Sequence, residues 1–571
     1  MEPAQSISEK ETIEKNRPGV FNLSNETVFV LVCALFAFLI RFFLIPQASV
    51  INGDGIYYAI LGKKIISGDI YGGISAYWSP LYSFLIGISS LFFQDLEFAG
   101  RFVSVVAGTL LIFPAYFLIR NFYGRRSAYL GTILLVIHPS LILSSTWVMT
   151  ESLYALIFTT AILIGSYALR HGKKRFFFII GLLFGAAYLT KPESLAFIGL
   201  FFVLTAGAKF FRRNLQFRRL IAGYLLLLSG FAVFFLPYVV FLHQKTGHWT
   251  ISQKLLSNVP SFDSGKGLLK LTDNGQITMR DRLFGDVYDP ENQPTVNQPT
   301  VNQPIVNQPL IASAPPESPH SRFGIGQLIS KTFDNLKKQV REHIPAILPY
   351  PFILLAIIGL FFRHWTKRRT AKEIYLFSFV ACTFIGYALT VIELRYLFTI
   401  IPILIGWASF GIVGFSNFVS TTVSGFLKTN RKVNPIWLQI FILITLAAFL
   451  KPLFSSQYKP EELQNVPFEE KQAGLWLKHR ISQPSLIMAS NATSAFYAEA
   501  KHIYVPDEEF SVVLEYAKRK KVDYLVFSQR RLNNTPNAFP INEENLPGEL
   551  KLVYKDEQNP NYKILIYQLL N

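Results

Sequence analysis

The stretch INGDGIYYA, residues 51–59, holds one carboxylate, Asp54, between two glycines and just before a tyrosine pair. A carboxylate in such a place can take a proton from a hydroxyl and act as a general base. It can equally belong to a turn, because Asp and Gly both favour turns. The stretch directly follows the first apolar segment, so its role depends on the surface of the membrane at which it lies.

Other ionisable residues lie near the ends of later apolar segments. They are His138 and Glu151 in HPSLILSSTWVMTES, Lys191 and Glu193 in YLTKPES, and Glu393 and Arg395 in VIELRYLFTIIP. Ionisable groups at membrane depth are costly to bury, so they usually pair with each other or serve a pathway or site. These residues are therefore candidates for a shared site.

Each of these residues also has a purely structural interpretation. Glu151 could be a first-turn helix residue that interacts favourably with the helix dipole, and His138 precedes a proline, as helix-boundary residues often do. Lys191 and Arg395 could be snorkelling residues at the interface. Glu393 could form no more than a local ion pair with Arg395. Taken singly, none of them indicates a function.

The composition identifies a polytopic membrane protein. The 571 residues are 51% hydrophobic and only 16% charged, with a mean hydropathy of +0.31. Repeated apolar runs of about 20 residues have the length needed to cross a bilayer as helices. The net charge of +18 does not indicate nucleic acid, because the basic residues form short clusters between apolar runs. Cys33 and Cys382 lie inside such runs, so no disulfide framework is expected.

The apolar runs predict about eleven transmembrane helices. They fall at about 27–45, 98–119, 127–143, 150–169, 176–190, 194–210, 220–242, 346–362, 374–392, 396–418 and 436–453. The apolar piece at 77–93 is short and interrupted by Pro80, which favours a helix at the membrane interface.

The basic residues predict the orientation, because every second loop is basic. They are Arg120, Arg125 and Arg126; Lys173, Lys174 and Arg175; Arg212, Arg213, Arg218 and Arg219; Arg363, Lys367, Arg368 and Arg369; and Lys428, Arg431 and Lys432. The positive-inside rule places these loops in the cytoplasm together with the segment 1–26. The chain is then a multi-pass protein of the inner (plasma) membrane, with Asp54 and the C-terminus outside.

The predicted domains are a transmembrane domain at 27–453 and an extracytoplasmic α/β domain at 455–571. The first contains an external loop, 243–345, with an NQP repeat at 292–309 that has no apolar face and is typical of a flexible spacer. In the second, PSLIMAS and VDYLVFS predict strands, EFSVVLEYAKRKK an amphipathic helix, and KLVYKDEQNPNYKILIYQLL a hairpin.

Five motifs in series resemble the protein O-mannosyltransferase and aminoarabinose-transferase superfamily. They are Asp before Tyr-Tyr after the first span, SPLYSFLIG, MTESLYALIF, LTKPESL and ELRYLFTIIP. No single motif is decisive, but their order and spacing match over about 27–453. The resemblance implies an all-α polytopic membrane protein of the GT-C fold that uses polyprenyl-phosphate sugars as donors.

The resemblance also implies roles for particular residues. Asp54 corresponds to the family's general base and would deprotonate an acceptor hydroxyl, with inversion at the sugar. Arg395 and, more weakly, Lys191 would bind the donor phosphate. Glu151 corresponds to a family acid that orients the acceptor or helps hold a cation. Further candidates for supporting the acceptor or the site are His138, Tyr57, Tyr58 and Glu393.

The sequence departs from the family at Gly55, where many members carry a second acid after the Asp. If that acid normally supports a metal or the acceptor, its role is either missing or supplied by Glu151 or Glu97. The dependence on a divalent metal ion is therefore left open, with His138, Asp54 and Glu151 as a conceivable ligand set.

A lipid-linked donor also suits the absence of nucleotide-binding motifs. The sequence has no Asp-x-Asp motif and no Gly-rich phosphate loop, and nucleotide sugars are not available outside the cell. The main alternative is a transporter or flippase of lipid-linked substrates, which should show internal duplication. A non-catalytic subunit is a third. The sequence identifies neither the sugar nor the acceptor, which could be a lipid, a glycan or a protein.

Overall fold

The structure is a computed structural model that describes residues 24–47, 50–211, 217–254, 325–361, 364–426, 434–457, 466–481, 485–506, 508–531, 547–556 and 562–570. The predicted cytoplasmic segment 1–26 lies almost entirely outside these ranges. The NQP repeat at 292–309 and most of the predicted loop 243–345 lie outside them as well.

The membrane part of the chain is helical. Its helices are α1 (Asn25–Phe43), α2 (Gly53–Ile66), α3 (Ile70–Gly73), α4 (Pro80–Ser90), α5 (Leu96–Leu110), α6 (Ile112–Tyr123), α7 (Arg125–Val136), α8 (Pro139–Thr146), α9 (Glu151–His171), α10 (Lys174–Tyr188), α11 (Leu195–Phe211), α12 (Phe217–Thr246), α13 (Ile325–Lys338), α14 (Ile344–Ile347), α15 (Tyr350–Phe361), α16 (Lys367–Leu389), α17 (Ile401–Phe426) and α18 (Pro435–Gln457). Short 3₁₀ turns cover Ile45–Gln47, Pro192–Ser194 and Leu394–Ile400, and a π-helical turn covers Gln339–His343.

Every predicted span overlaps a helix, but the count of eleven is not confirmed. In the described ranges, six helices are long and apolar enough to cross a membrane, or up to eight if each of two bent pairs is one span. Shorter helices account for the difference. For example, α10 has 15 residues and is about 22 Å long at 1.5 Å per residue, less than the roughly 30 Å of a bilayer core.

Two short helices, α2 and α4, follow α1, and α2 carries the first candidate residues, Asp54, Tyr57 and Tyr58. The predicted interfacial segment forms α4, which begins at Pro80 because proline suits the first turn of a helix. The two helices cross where Gly62 meets Gly87: a Cβ on Gly62 would lie 2.5 Å from the carbonyl oxygen of Ser83. This close backbone contact fixes α2 against α4.

The C-terminal part of the chain is an α/β domain, as predicted. Its elements are α19 (Phe468–Lys478), β1 (Leu486–Ala489), α20 (Thr493–Tyr497), β2 (Lys501–Tyr504), α21 (Phe510–Arg519), β3 (Tyr524–Ser528), β4 (Leu550–Asp556) and β5 (Ile564–Leu569). The sheet has the order β2-β1-β3-β5-β4. Strands β1, β2 and β3 are parallel, whereas β5 runs antiparallel to β3 and β4. Strand β2 was not predicted from the sequence.

Candidate active site

Asp54 lies in the first turn of α2, where a carboxylate interacts favourably with the helix dipole. Its helix starts after Asn52, whose backbone is extended and whose carbonyl accepts the first helical hydrogen bond, from Ile56. About a third of the Asp54 side chain is exposed (35%). The start of the helix therefore fixes the backbone position of Asp54, while its carboxylate stays accessible.

Arg395 joins Asp54 to two other predicted site residues. Its Nη2 lies 3.5 Å from Asp54 Oδ2, and its Nε lies 3.8 Å from Glu151 Oε1. Its Nε also forms an ion pair with Glu393 Oε2 at 2.5 Å. Acids from three separate parts of the chain thus meet at one guanidinium, which the 3₁₀ turn Leu394–Ile400 presents.

Glu151 and Lys191 form the buried side of this cluster. Lys191 Nζ donates to Glu151 Oε1 at 3.1 Å, and the Glu151 side chain is 1% exposed. Lys191 also lies 4.8 Å from the centre of the Tyr396 ring, a cation–π contact. The second oxygen of Glu151, Oε2, is buried and has no hydrogen-bond partner among the described residues. Two cations compensate the buried charge of Glu151, and one carboxylate oxygen can still accept a hydrogen bond.

Different residues of the cluster can perform two chemical tasks, proton transfer and phosphate binding. Asp54 is an accessible carboxylate that can take a proton from a hydroxyl. Arg395 and Lys191 are cations that can bind the oxygens of a phosphate, Arg395 with two parallel donors. This combination of a base and an anion-binding pair is suited to group transfer from a phosphate leaving group.

Lys254 is a further cation that interacts electrostatically with this cluster, and it was not predicted from the sequence. Burial lowers the pKa of its ammonium, but Tyr58, Asp54 and Glu193 together raise that pKa above its ordinary value. Lys254 is therefore charged at neutral pH. It lies just after α12, at the start of the predicted external loop, where a single lysine has no distinguishing pattern.

The two candidate tyrosines differ in their contacts. Tyr58 lies beside the cluster, and burial raises the pKa of its phenol, with a further contribution from Asp54. Tyr57 instead stacks on Trp78, with ring centres 4.2 Å apart, and its hydroxyl contacts that of Tyr504 in the C-terminal domain. The structure thus brings Tyr58 into the site and directs Tyr57 to the domain contact.

His138 is not part of this cluster. It is completely buried, and its Nε2 donates to the carbonyl oxygen of Ile347 at 2.9 Å. No hydrogen bond or ion pair of the described residues joins His138 to Asp54 or Glu151. Across the described ranges, no group of three or more His, Cys, Asp or Glu residues is arranged to hold a metal ion.

Val148 occupies the space beside Gly55, the position at which many members of the resembling family carry an acid. A Cβ on Gly55 would lie 2.6 Å from the carbonyl oxygen of Val148 and 2.9 Å from its Cβ. Val148 belongs to the segment that leads into Glu151 and is itself fully buried. The glycine therefore lets the Asp54 helix pack directly against the Glu151 segment, and no side chain fits at position 55 without moving one of them.

Gly55→Ala is expected to destabilise the protein by about 1–3 kcal/mol, the usual cost of overpacking a tight contact. Thermal unfolding of the detergent-purified protein measures this effect. Gly53→Ala is the matched control, since a Cβ at Gly53 meets nothing within 4 Å. Equal melting temperatures for the two variants would show that the Val148 contact does not restrict position 55.

Glu97 does not supply the missing acid beside Asp54. Its carboxylate pairs with Arg101 and lies 3.5 Å from Lys471 of the C-terminal domain. It also accepts a hydrogen bond from Tyr497 at 2.8 Å. Of the two alternatives for that acid, Glu151 shares Arg395 with Asp54, whereas Glu97 is committed to the domain contact.

The sequence matches a protein family model in the region of this site. Residues 78–237 match the family described as dolichyl-phosphate-mannose-protein mannosyltransferase. The match includes Glu151 and Lys191 and indicates a glycosyltransferase. No curated protein has a significant sequence match to this chain.

Solved structures show the same fold. The oligosaccharyltransferase of Archaeoglobus fulgidus in its apo form superimposes with a TM-score of 0.56 at 14% identity, covering 90% of this chain and 70% of that chain. The oligosaccharyltransferase AglB from Archaeoglobus fulgidus in complex with an inhibitory peptide and a dolichol-phosphate gives a TM-score of 0.55 at 14% identity, covering 89% of this chain and 69% of that chain. ArnT from Cupriavidus metallidurans bound to undecaprenyl phosphate gives a TM-score of 0.54 at 12% identity, covering 95% and 98%.

These findings confirm the resemblance predicted from the motifs. The helical membrane part and the small C-terminal sheet domain agree with the predicted fold class. The chain has the GT-C fold of these membrane enzymes, and its residues 78–237 are similar to the dolichyl-phosphate-mannose-protein mannosyltransferase family.

Proposed function

We propose that this protein transfers a sugar from a polyprenyl-phosphate donor to an acceptor hydroxyl on the extracytoplasmic face of the plasma membrane. The observation that carries the proposal is the position of Arg395, which lies between Asp54 and Glu151 and beside the cation Lys191 in one cluster. A general base and two phosphate-binding cations are the groups that this reaction needs. The GT-C fold favours this function over the transporter alternative.

In the proposed reaction, the acceptor oxygen attacks the anomeric carbon while Asp54 takes the hydroxyl proton. The bond between the anomeric carbon and the phosphate oxygen breaks, and the lipid phosphate leaves with the electron pair. Attack from the face opposite the phosphate inverts the anomeric centre. Because phosphate is a good leaving group, Arg395 and Lys191 need only stabilise its negative charge.

Glu151 and Tyr58 are proposed to support this step. Glu151 fixes both cations through Oε1, and its Oε2 is available to a hydroxyl of the acceptor or the sugar. Tyr58 interacts electrostatically with both Asp54 and Lys254. Lys254 is then a third cation for the donor phosphate. Glu393 is more exposed, at 44% of its side chain, and is proposed to orient Arg395.

The length and direction of α9 support an extracytoplasmic site. The helix begins at Glu151 and ends at His171, and its 21 residues span roughly 31 Å at 1.5 Å per residue. The basic residues Lys173 and Lys174 follow its far end, where the positive-inside rule expects the cytoplasm. The site cluster therefore lies at the opposite membrane surface from that basic loop.

Reconstitution with radiolabelled polyprenyl-phosphate sugars tests the proposal. Purified protein in nanodiscs, given undecaprenyl-phosphate mannose together with an envelope extract as acceptor, is expected to move label into the acceptor and release undecaprenyl phosphate. Aminoarabinose and other polyprenyl-phosphate sugars are tested in parallel, because the sugar is not fixed by the site. Transfer from nucleotide sugars but from none of these lipid donors would contradict the proposal.

A further inference from the structure

Arg101, which the sequence did not single out, joins the two segments that carry the candidate acids. Its Nη2 donates to the carbonyl oxygen of Val50 at 3.2 Å, and its Nη1 donates to that of Thr146 at 2.5 Å. Val50 lies four residues before Asp54, and Thr146 lies five residues before Glu151. Arg101 is 3% exposed, so these contacts form away from water. One buried side chain thus sets the spacing between both segments.

Glu97 holds Arg101 in this position. It lies one helical turn earlier on α5 and pairs with Arg101 through Oε1, with Nε 3.2 Å away. Because the guanidinium is buried, it needs both a compensating charge and fixed acceptors for its donors. Glu97 supplies the charge, and the carbonyl oxygens of Val50 and Thr146 supply the acceptors.

The C-terminal domain completes this network through one hydroxyl. Tyr497, at the end of α20, donates to Glu97 Oε2 at 2.8 Å and accepts from the backbone N–H of Ile51 at 3.0 Å. Tyr497 is 8% exposed. Burial raises the pKa of its phenol, and Glu97 raises it further, so the hydroxyl stays protonated and able to donate. Lys471 of the same domain lies 3.5 Å from Glu97 Oε2 and 4.7 Å from the centre of the Tyr497 ring.

We propose that Tyr497 is a positioning residue through which the C-terminal domain holds the Asp54 segment in register with the Glu151 segment. The hydroxyl binds the Asp54 segment directly at Ile51 and indirectly through Glu97 and Arg101. The domain is thereby part of the active-site scaffold, although none of its described residues belongs to the Asp54–Arg395–Glu151 cluster. The catalytic part of this inference rests on the proposed function; the structural part does not.

Hydrogen exchange tests the structural part without any substrate. In Tyr497→Phe, which keeps the ring and removes the hydroxyl, the Ile51 amide loses its acceptor. Faster exchange is expected in peptides covering 50–58 and 146–151, while β1, β3 and β5 of the C-terminal domain keep their protection. Unchanged exchange in 50–58 would overturn the proposal.

The matched control is Tyr504→Phe, which removes another tyrosine hydroxyl from the same domain contact, where it meets Tyr57. This control leaves the Glu97–Arg101 network intact. Peptide 146–151 should therefore keep its protection in Tyr504→Phe. The same loss of protection in both variants would mean that general docking, and not the Tyr497 network, orders the Glu151 segment, and would overturn the proposal.

Steady-state kinetics with the lipid donor test the catalytic part. Tyr497→Phe is expected to lower kcat by about ten- to a hundredfold, because small misplacements of reacting groups are costly, with little change in the donor KM. In Glu97→Gln plus Tyr497→Phe, the combined loss should be smaller than the product of the two single losses, since both residues act in part through Arg101. Fully additive losses, or a changed KM with an unchanged kcat, would overturn this role.

The hydrogen-exchange and kinetic experiments together distinguish the failure of this inference from the failure of the proposed function. If the wild-type protein transfers no sugar from any polyprenyl-phosphate donor, the proposed function fails. The exchange experiment still decides whether Tyr497 orders the 50–58 and 146–151 segments.

Discussion

Asp54→Asn is expected to lower the rate of sugar transfer by about 10²–10⁴-fold, the usual contribution of a general base. The amide has nearly the shape of the carboxylate but cannot take the proton of the acceptor hydroxyl. Binding of undecaprenyl phosphate should stay the same or become tighter, because a negative charge near Arg395 Nη2 is removed. The combination of lost rate and retained binding distinguishes a base from a residue that only stabilises the site.

The measurements are the single-turnover transfer rate and undecaprenyl phosphate affinity of the purified variant. Glu499→Gln is a matched control, because Glu499 is an exposed acid in the C-terminal domain whose ion pair with exposed Lys478 contributes little to stability. It should transfer sugar at the wild-type rate. A folded Asp54→Asn protein with near-normal transfer would show that the base is another group.

Arg395→Ala is expected to weaken binding of undecaprenyl phosphate by about 10- to 100-fold. Hydrogen bonds to charged groups contribute about 1.5–3 kcal/mol each, and every 1.4 kcal/mol is tenfold in affinity. The loss is increased because Asp54 and Glu151 then face the phosphate with less compensating charge. Arg395→Lys should recover only part of the affinity, since an ammonium cannot present two parallel donors to two phosphate oxygens.

Direct binding of undecaprenyl phosphate, measured without an acceptor, separates this role from an effect on the chemical step. Arg480→Ala is a suitable control, because Arg480 is exposed and stacks on Trp476 in the C-terminal domain, in a part of the chain that does not contact the site. If Arg395→Ala bound undecaprenyl phosphate as tightly as the wild type but transferred sugar slowly, Arg395 would orient the acids and not the phosphate.

The sequence predicted the membrane class and the order of the helical segments because both depend on local properties. An apolar run of about 20 residues is unstable in water wherever it occurs, and its helix satisfies its own backbone hydrogen bonds. The C-terminal α/β domain was also predictable, since short apolar runs rich in β-branched and aromatic residues mark strands such as Tyr524–Ser528. The number of membrane spans was not predictable from the sequence, because helices such as Lys174–Tyr188 are too short to be assigned as spans by hydropathy alone.

The candidate site was predictable as a set of residues but not as an arrangement. Asp54, Glu151, Lys191, Glu393 and Arg395 were each identified from motifs and from the ends of apolar segments. The contacts of Asp54, Glu151 and Glu393 with Arg395 could not be predicted from the sequence, because residues 54 and 395, for example, are 341 positions apart. His138 shared the same kind of signal, yet its Nε2 binds the Ile347 carbonyl instead.

The sequence by itself determined that this chain spans a membrane, which residue types it offers for chemistry and which superfamily it resembles. These properties follow from apolar runs and short motifs, each of which consists of consecutive residues. Only the tertiary structure decided that Val148 excludes a side chain at Gly55, that Glu97 binds Tyr497, and that the C-terminal domain contacts the Asp54 segment. Such contacts depend on the packing of distant segments, and no local pattern specifies which buried groups satisfy one another.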